Sequence, residues 1–244
     1  MPRAVLQQAV QGNLVPQDPA EGTGSELVEH IHEERRQLVA EKKIKPIKGG
    51  ESTIHRDSAG HWFETHGKNA AVCIDDEIPF DIPDSWTWAR FNNVLFNRDS
   101  ERIPLSSNIR KKLTKKYDYY GASGIIDQVD KYLFAKPLLL IGEDGANLIN
   151  RSSPIAFIAR GKYWVNNHAH VLDAVSETLL EYCSIYVNSI SLYPYVTGTA
   201  QPKLSQERMG VIVVPVPPLA EQQRIVEKVA EFRSLIGERF AAAS

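Results

Sequence analysis

Cysteine is scarce: Cys73 and Cys183 are the only two in 244 residues. Neither lies in a CxxC pair or at zinc-type spacing, so neither a disulfide framework nor a cysteine-built zinc site organises this chain. A reducing, cytoplasmic setting is the expectation that follows. No apolar run approaches the ~18 residues that span a bilayer. The opening stretch, MPRAVLQQAVQGNLV, has one basic residue and is broken by Gln and Gly, unlike a signal peptide. An excess of one charge is also lacking. The 28 Lys and Arg against 30 Asp and Glu leave a net charge of −2. Any attraction to nucleic acid must therefore be local.

Catalytic signatures are missing too. There is no GxxxxGK(S/T) loop for ATP phosphates and no (D/N/S)PP(F/Y/W) tetrapeptide of an amino-methyltransferase gripping a flipped base. The EKK at 41–43 resembles part of a nuclease motif, but it lies on a charge-rich helix with no acidic partner just upstream. The stretch IGEDGANLINRSS lacks the alternating ligands of a calcium loop. Its two acids repel phosphate, and it reads as a tight turn on Asp144-Gly145. No catalytic residue and no metal ligand is expected on this chain.

What is present suits a globular core, with 43% hydrophobic residues. Residues 4–15 read as the end of an amphipathic helix stopped by Gly12 and Pro16. The Pro/Gly-rich 16–25 reads as a turn or hinge, and a charge-laced helix follows from Ser25, with one weak apolar face through Leu27, Ile31 and Leu38 and the rest solvated. Together these make a segment 1–45. Low periodicity over 46–76 reads as a linker with a short hairpin around GHWFETHG. In 77–216, Trp86 and Trp88 alternate as on a half-buried strand, and short strands continue to VIVVPV, interrupted by one helix over 176–190. Residues 217–244 read as a final helix whose seam runs through Leu219, Ile225, Val229, Phe232 and Leu235. The fold class is mixed α/β (α+β), with short strands and helices flanked by helices that pair in coiled-coil fashion, with each other or with another chain.

Local features point to DNA. Residues 101–120 hold six Lys and Arg against two acids. Arg110, Lys111, Lys112, Lys115 and Lys116 are candidate phosphate contacts, against the plainer reading of a solvated face. Tyr119 and Tyr120 are candidates for packing on sugar or base, and Ser123 for a hydrogen bond. Arg151 and Ser152 are candidate backbone contacts. Thr197, Thr199, Gln201 and Lys203 bring suitable donors on a Gly/Pro loop, which also reads as a structural turn. In WVNNHAHVL, read as one strand, Asn166, His168, His170 and Leu172 share a face. Two histidines two apart on a strand can reach one metal, but no further ligand is apparent. The open alternatives for Asn166 and His168 are ordering a neighbouring loop and touching DNA.

LQQAVQGNLVPQDP, EIPFDIPDSWTWARF, YYGASGIID, LLLIGEDGANL, YWVNNHAHVL, YVTGTAQPKLSQERM and VPPLAEQQRIVEKV together resemble the specificity subunit of type I restriction–modification systems. They occur in the expected order over nearly the whole chain. The resemblance covers about half of a usual member: the tail of a conserved helix with its hinge, one target recognition domain, and the start of the next conserved helix. It implies a non-catalytic DNA-binding subunit that reads one half of a split double-stranded site. It also implies a modification subunit using S-adenosylmethionine and a restriction subunit using ATP and Mg²⁺, with no cofactor on this chain. Pairing with a second copy, or with a complementary half-length subunit, would complete the site; an inactive remnant is the third possibility. The rival functions are an enzyme with a fused recognition domain and a coiled-coil scaffold that binds no DNA.

Overall fold

A computed structural model describes residues 3–242. The ends of the first and last expected segments, 1–2 and 243–244, lie outside the described residues. Residues 95–212 form one compact unit, and the flanking segments up to Val94 and from Val213 form the other.

The flanking unit contains α1 (Arg3–Val10), α2 (Gly24–Ala40), β1 (Ser52–Arg56), β2 (Trp62–His66), β3 (Val72–Cys73), β4 (Thr87–Arg90) and α3 (Phe91–Val94). Helix α1 packs on the long C-terminal helix Leu219–Ala242 through buried Leu6, Ala9 and Val10. Helix α2 starts at a capping box: Thr23 Oγ1 accepts from Glu26 N at 3.2 Å, and Glu26 Oε2 accepts from Thr23 N at 2.7 Å. Its first residue must be glycine, because a Cβ on Gly24 would stand 1.8 Å from Val216 O. The weak apolar face expected at Leu27 and Ile31 is buried, and Val28, His32 and Arg35 are buried with it.

The linker expectation for 46–76 is corrected. Strands β1, β2 and β3 make an antiparallel sheet. Its hairpin turn is fixed by Asp57 Oδ1, which accepts from Ala59 N and His61 N. Ile54 and Ile74 enter a core with Trp88 and Val213. The strands are short and their outward positions polar, so the apolar signal is weak although the segment is folded. Residues 77–94 belong to this unit rather than to the central one. Strand β4 is buried along its whole length and pairs antiparallel with Val213–Val216, so Trp86 and Trp88 are both fully interior. Arg90 is buried and paired with Glu64 and Glu77.

The central unit runs β5 (Phe96–Asn97), α4 (Ser107–Arg110), β6 (Tyr117–Gly121), β7 (Gly124–Val129), β8 (Leu138–Gly142), α5 (Asn147–Asn150), β9 (Ala156–Ala159), β10 (Tyr163–Val165), β11 (Ala169–Asp173), α6 (Glu177–Ser189) and α7 (Gln206–Gly210). The chain then returns to the flanking unit through β12 (Val213–Val216) and α8 (Leu219–Ala242). One antiparallel sheet has the order β5-β11-β8-β9, and a second has β10-β6-β7. Helix α6, capped by Ser176 Oγ on Leu179 N, lies on β8 and β9. Strand β8 is buried on both faces: Leu138 and Leu140 join Phe134, Tyr163, Val165 and Val171 in one cluster. Burying such side chains contributes about 1.5–3 kcal/mol each. The architecture is mixed α+β. No helix among the described residues is long and apolar enough to cross a membrane.

Candidate nucleic-acid interface

WVNNHAHVL is not one strand. Asn166 ends β10 by donating its N–H to Tyr120 O at 3.1 Å, and its Oδ1 accepts from His168 N at 2.8 Å. An asparagine that bonds the backbone two residues on makes a turn. The alternation therefore breaks, and the two histidines part company: His168 is exposed and His170 buried. Close by, β6 and β7 are joined at Ala122-Ser123, with Gly121 opposite Gly124 and Gly124 at φ 119°.

Two further loops close on this turn. Glu143 N donates to His168 O at 2.8 Å, Leu204 N to Glu143 O at 2.8 Å, and Gly145 N to Pro202 O at 3.0 Å. Thr197 and Lys203 exchange two backbone bonds of 2.9 and 2.8 Å across the tight loop at Gly198. Gly142 packs under the hairpin tip, where a Cβ would lie 2.8 Å from Ala122 O. Four loops, at 121–124, 142–145, 166–168 and 197–204, thus form one continuous rim. On it His168 Nδ1 meets Asp144 Oδ2 at 2.7 Å, and Lys203 Nζ meets Glu143 Oε1 at 3.1 Å.

A buried network holds the rim from below. His170 is 1% exposed. Its Nδ1 lies 2.7 Å from Asp99 Oδ2, and its Nε2 donates to Leu204 O at 2.8 Å. Arg102 donates to Glu143 Oε2 and to Ala169 O, both at 2.7 Å. Burial pushes the Asp99 carboxyl up, but bonds from His170 and Val171 N–H and the nearby Arg102 charge leave it below its ordinary value. Glu143 is likewise held low, against its burial, by Arg102, His170 and Lys203. Donor atoms of Asp99, Glu143 and His170 lie within 4.8 Å of one another. Arg102 and Lys203 already neutralise the two carboxylates, so the cluster works as an ion network tying β5, β8 and β11 to the loops.

Several of the residues singled out from sequence have structural tasks in the fold. Tyr119 is 1% exposed, with its hydroxyl on the Leu105 backbone. Tyr120 is half-buried against Phe157 and Tyr163. Arg110 lies over the Tyr119 ring and shares Asp127 with Lys115. Their donation, with Gln128 N–H, holds the Asp127 carboxyl down at about 2. Arg151, at a left-handed φ of 51°, donates to Val187 O and Ile190 O at the end of α6. Ser152 donates to Asn147. Asn166 is buried and builds the turn. Much of the basic run is therefore neutralised from a distance. Lys111, Lys112 and Lys116 stay exposed, with no carboxylate partner among the described residues. Ser123, His168, Thr197, Thr199, Gln201 and Lys203 lie together on the rim and are exposed. Sequence reading missed Asp99, Arg102 and Glu143, which carry no local signal because their partners lie up to 107 residues away.

The family model for the type I restriction modification DNA specificity domain matches residues 84–238. The chain is 31% identical over 152 residues to a putative type I restriction enzyme specificity subunit of Haemophilus influenzae, covering 62% of this chain and 38% of that protein. It is 25% identical over 251 residues to the EcoAI specificity subunit of Escherichia coli, covering 94% of this chain and 38% of that one. Among solved structures it resembles the S subunit of the M. genitalium type I system, at 14% identity and TM-score 0.50, over 68% of this chain and 43% of that one. A chain from a structural study of type I R-M complex assembly and conformational transition gives 14% identity and TM-score 0.52, over 67% and 42%. At such identities the structural likeness shows the fold. The chain spans about two-fifths of the length of the curated relatives it matches. It belongs to the type I restriction–modification DNA specificity family.

Proposed function

We propose that the central unit reads a short stretch of double-stranded DNA through its four-loop rim. The observation that carries this reading is the convergence of Ser123, His168, Thr199 and Gln201, exposed donors and acceptors from three separate segments, on loops braced by the Asp99–His170–Glu143 network. Side chains of these types read base edges in the major groove, glutamine best on adenine. A fixed backbone is what lets them do so with one geometry. Lys111 and Lys112 anchor phosphates nearby without reading sequence.

The flanking unit presents helices to partners. Its terminal seam is buried at Ile225 and Val229, while Leu235 is exposed. In this reading the chain has no catalytic role. A modification subunit supplies methylation with S-adenosylmethionine, and a restriction subunit supplies cleavage with ATP and Mg²⁺. A second copy or a complementary half reads the other part of a split site, and the assembly works on host DNA in the cytoplasm.

A mobility shift of the 244-residue chain with its modification subunit on mixed duplex DNA tests the reading. Binding is expected, and H168A should keep its melting temperature while changing sequence preference. N166A should lose stability instead, because it dissolves the turn. Absence of DNA binding by the wild-type complex refutes the reading.

A further inference from the structure

Away from the rim, one group of side chains carries charge that nothing in the unit uses. Lys116 precedes β6 and Tyr117 opens it, Lys131 and Tyr132 follow the end of β7, and Lys162 precedes β10. Strand pairing gathers these three segments: Tyr163 of β10 lies opposite Asp118 in parallel register, Lys116 N donates to Val129 O at 3.1 Å, and Leu133 N donates to Tyr163 O at 3.0 Å. The Tyr117 and Tyr132 rings meet edge to face with centroids 5.2 Å apart. Lys116 Nζ stands 5.1 Å from the Tyr117 centroid, and Lys162 Nζ stands 4.9 Å from that of Tyr132.

Arg110 and Lys115, close in sequence, are held by Asp127. Lys116, Lys131 and Lys162 are exposed, with no carboxylate partner among the described residues. Of the acids nearby, Asp118 accepts from Gln128 Nε2 at 3.0 Å, and Asp130 is exposed beside Lys131. Tyr132 keeps 42% of its surface exposed, a high share for a large ring. An ammonium resting on a ring face keeps its charge, and its N–H groups stay available to a ligand. Lysines are mobile point charges that suit phosphates better than base edges, and tyrosine hydroxyls also donate to phosphate oxygens.

We infer that Lys116 and Lys162, set on the Tyr117–Tyr132 platform, together with the exposed Lys131 that precedes Tyr132 in the chain, hold the phosphodiester backbone of duplex DNA. The inference rests on the DNA-reading function proposed above. The platform lies at the start of β6 and the rim at its end. At about 3.3 Å per residue, a five-residue strand separates them by roughly the ~12 Å width of the major groove. A rim in the groove and a platform on the bordering strand therefore match the dimensions of B-form DNA.

The test is the salt dependence of duplex binding by the full chain, between about 50 and 200 mM salt. Each phosphate contact contributes about 0.9 to the slope of log K against log salt. The triple variant K116Q/K131Q/K162Q should lower the slope by about 2–3 and weaken all sequences alike. K116R/K131R/K162R should keep the wild-type slope, which separates charge from fold. K45Q/K48Q/K68Q, the same charge change in the flanking unit, should leave it nearly unchanged. A triple variant with the wild-type slope, or a control that falls as far, overturns the inference and leaves rim reading intact. A triple variant that keeps its slope but no longer binds the modification subunit overturns it in favour of a protein-docking role. A wild type without DNA binding sinks both.

Discussion

Replacing Asp99 with alanine removes the acceptor on which the rim rests. The Asp99 side chain is 7% exposed and accepts from His170 Nδ1 at 2.7 Å, Val171 N at 2.8 Å and Gln206 Nε2 at 3.1 Å, with the Arg102 guanidinium at 3.4 Å. Two routes give the cost. Stranding the buried Val171 N–H and His170 Nδ1 costs about 1–3 kcal/mol each. Removing one partner of a buried ion pair costs about 3–5 kcal/mol. Both describe the same loss, so they are not added, and about 3–5 kcal/mol is expected. D99N keeps the size and one acceptor oxygen, and should lose roughly half as much. The chain has two compact units, so one global unfolding energy is ill-defined. Hydrogen exchange of the Val171 amide, supported by urea denaturation, is the suitable assay. Cooperative loss of protection over 166–173 and 203–206 is expected, along with weaker DNA discrimination. A loss below about 1 kcal/mol, with Val171 still protected, would refute the role given to the network.

Gly142→Ala places a Cβ 2.8 Å from Ala122 O and 2.7 Å from Ile155 Cδ1. Such overpacking should cost about 1–3 kcal/mol in thermal unfolding and shift the 121–124 tip, so DNA discrimination falls with stability. The pH dependence has a definite sign. Asp99 and Glu143 are held below their ordinary values of 3.8 and 4.5. Their contribution is complete above about pH 4.5 and is lost as pH falls through the folded values. The central unit should therefore unfold in acid, and D99N should shrink that dependence. Glu221 runs the other way. Burial lifts it above 4.5 despite bonds from Trp86 and Gln17. Its folded value exceeds its unfolded one, so the flanking unit should gain stability as pH falls towards 4.5, and E221Q should flatten that part of a pH–urea profile.

Features carried by local rules were legible in the sequence. The helix at 176–190 appears as Glu177–Ser189 because Ser176 caps it and its apolar spacing is helical. The last helix begins just after Pro217-Pro218, where proline is tolerated. Features carried by distant partners were not legible. Counting charge along 101–120 cannot reveal that Asp127 and Glu143 will neutralise Arg110, Lys115 and Arg102. Alternation runs unbroken through Asn166–His168 on paper, and only the Asn166 side chain's bond to His168 N turns the chain. Weak alternation hid the sheet at 52–73; Ile54 within it and Ile74 just after it depend on Trp88 and Val213 for burial. The exposed polar side chains of the 121–124, 166–168 and 197–204 segments were recognisable by type, whereas their convergence is a property of the fold.

Methylated-motif sequencing of DNA from cells carrying this chain with its modification subunit tests the central claim most directly. Wild type should give a defined set of modified sites that disappears when the gene is deleted. The double variant H168A/Q201A, folded and expressed as wild type, should modify a changed or relaxed motif rather than simply fewer sites. The same motif, modified to the same extent with the gene deleted, would contradict the account.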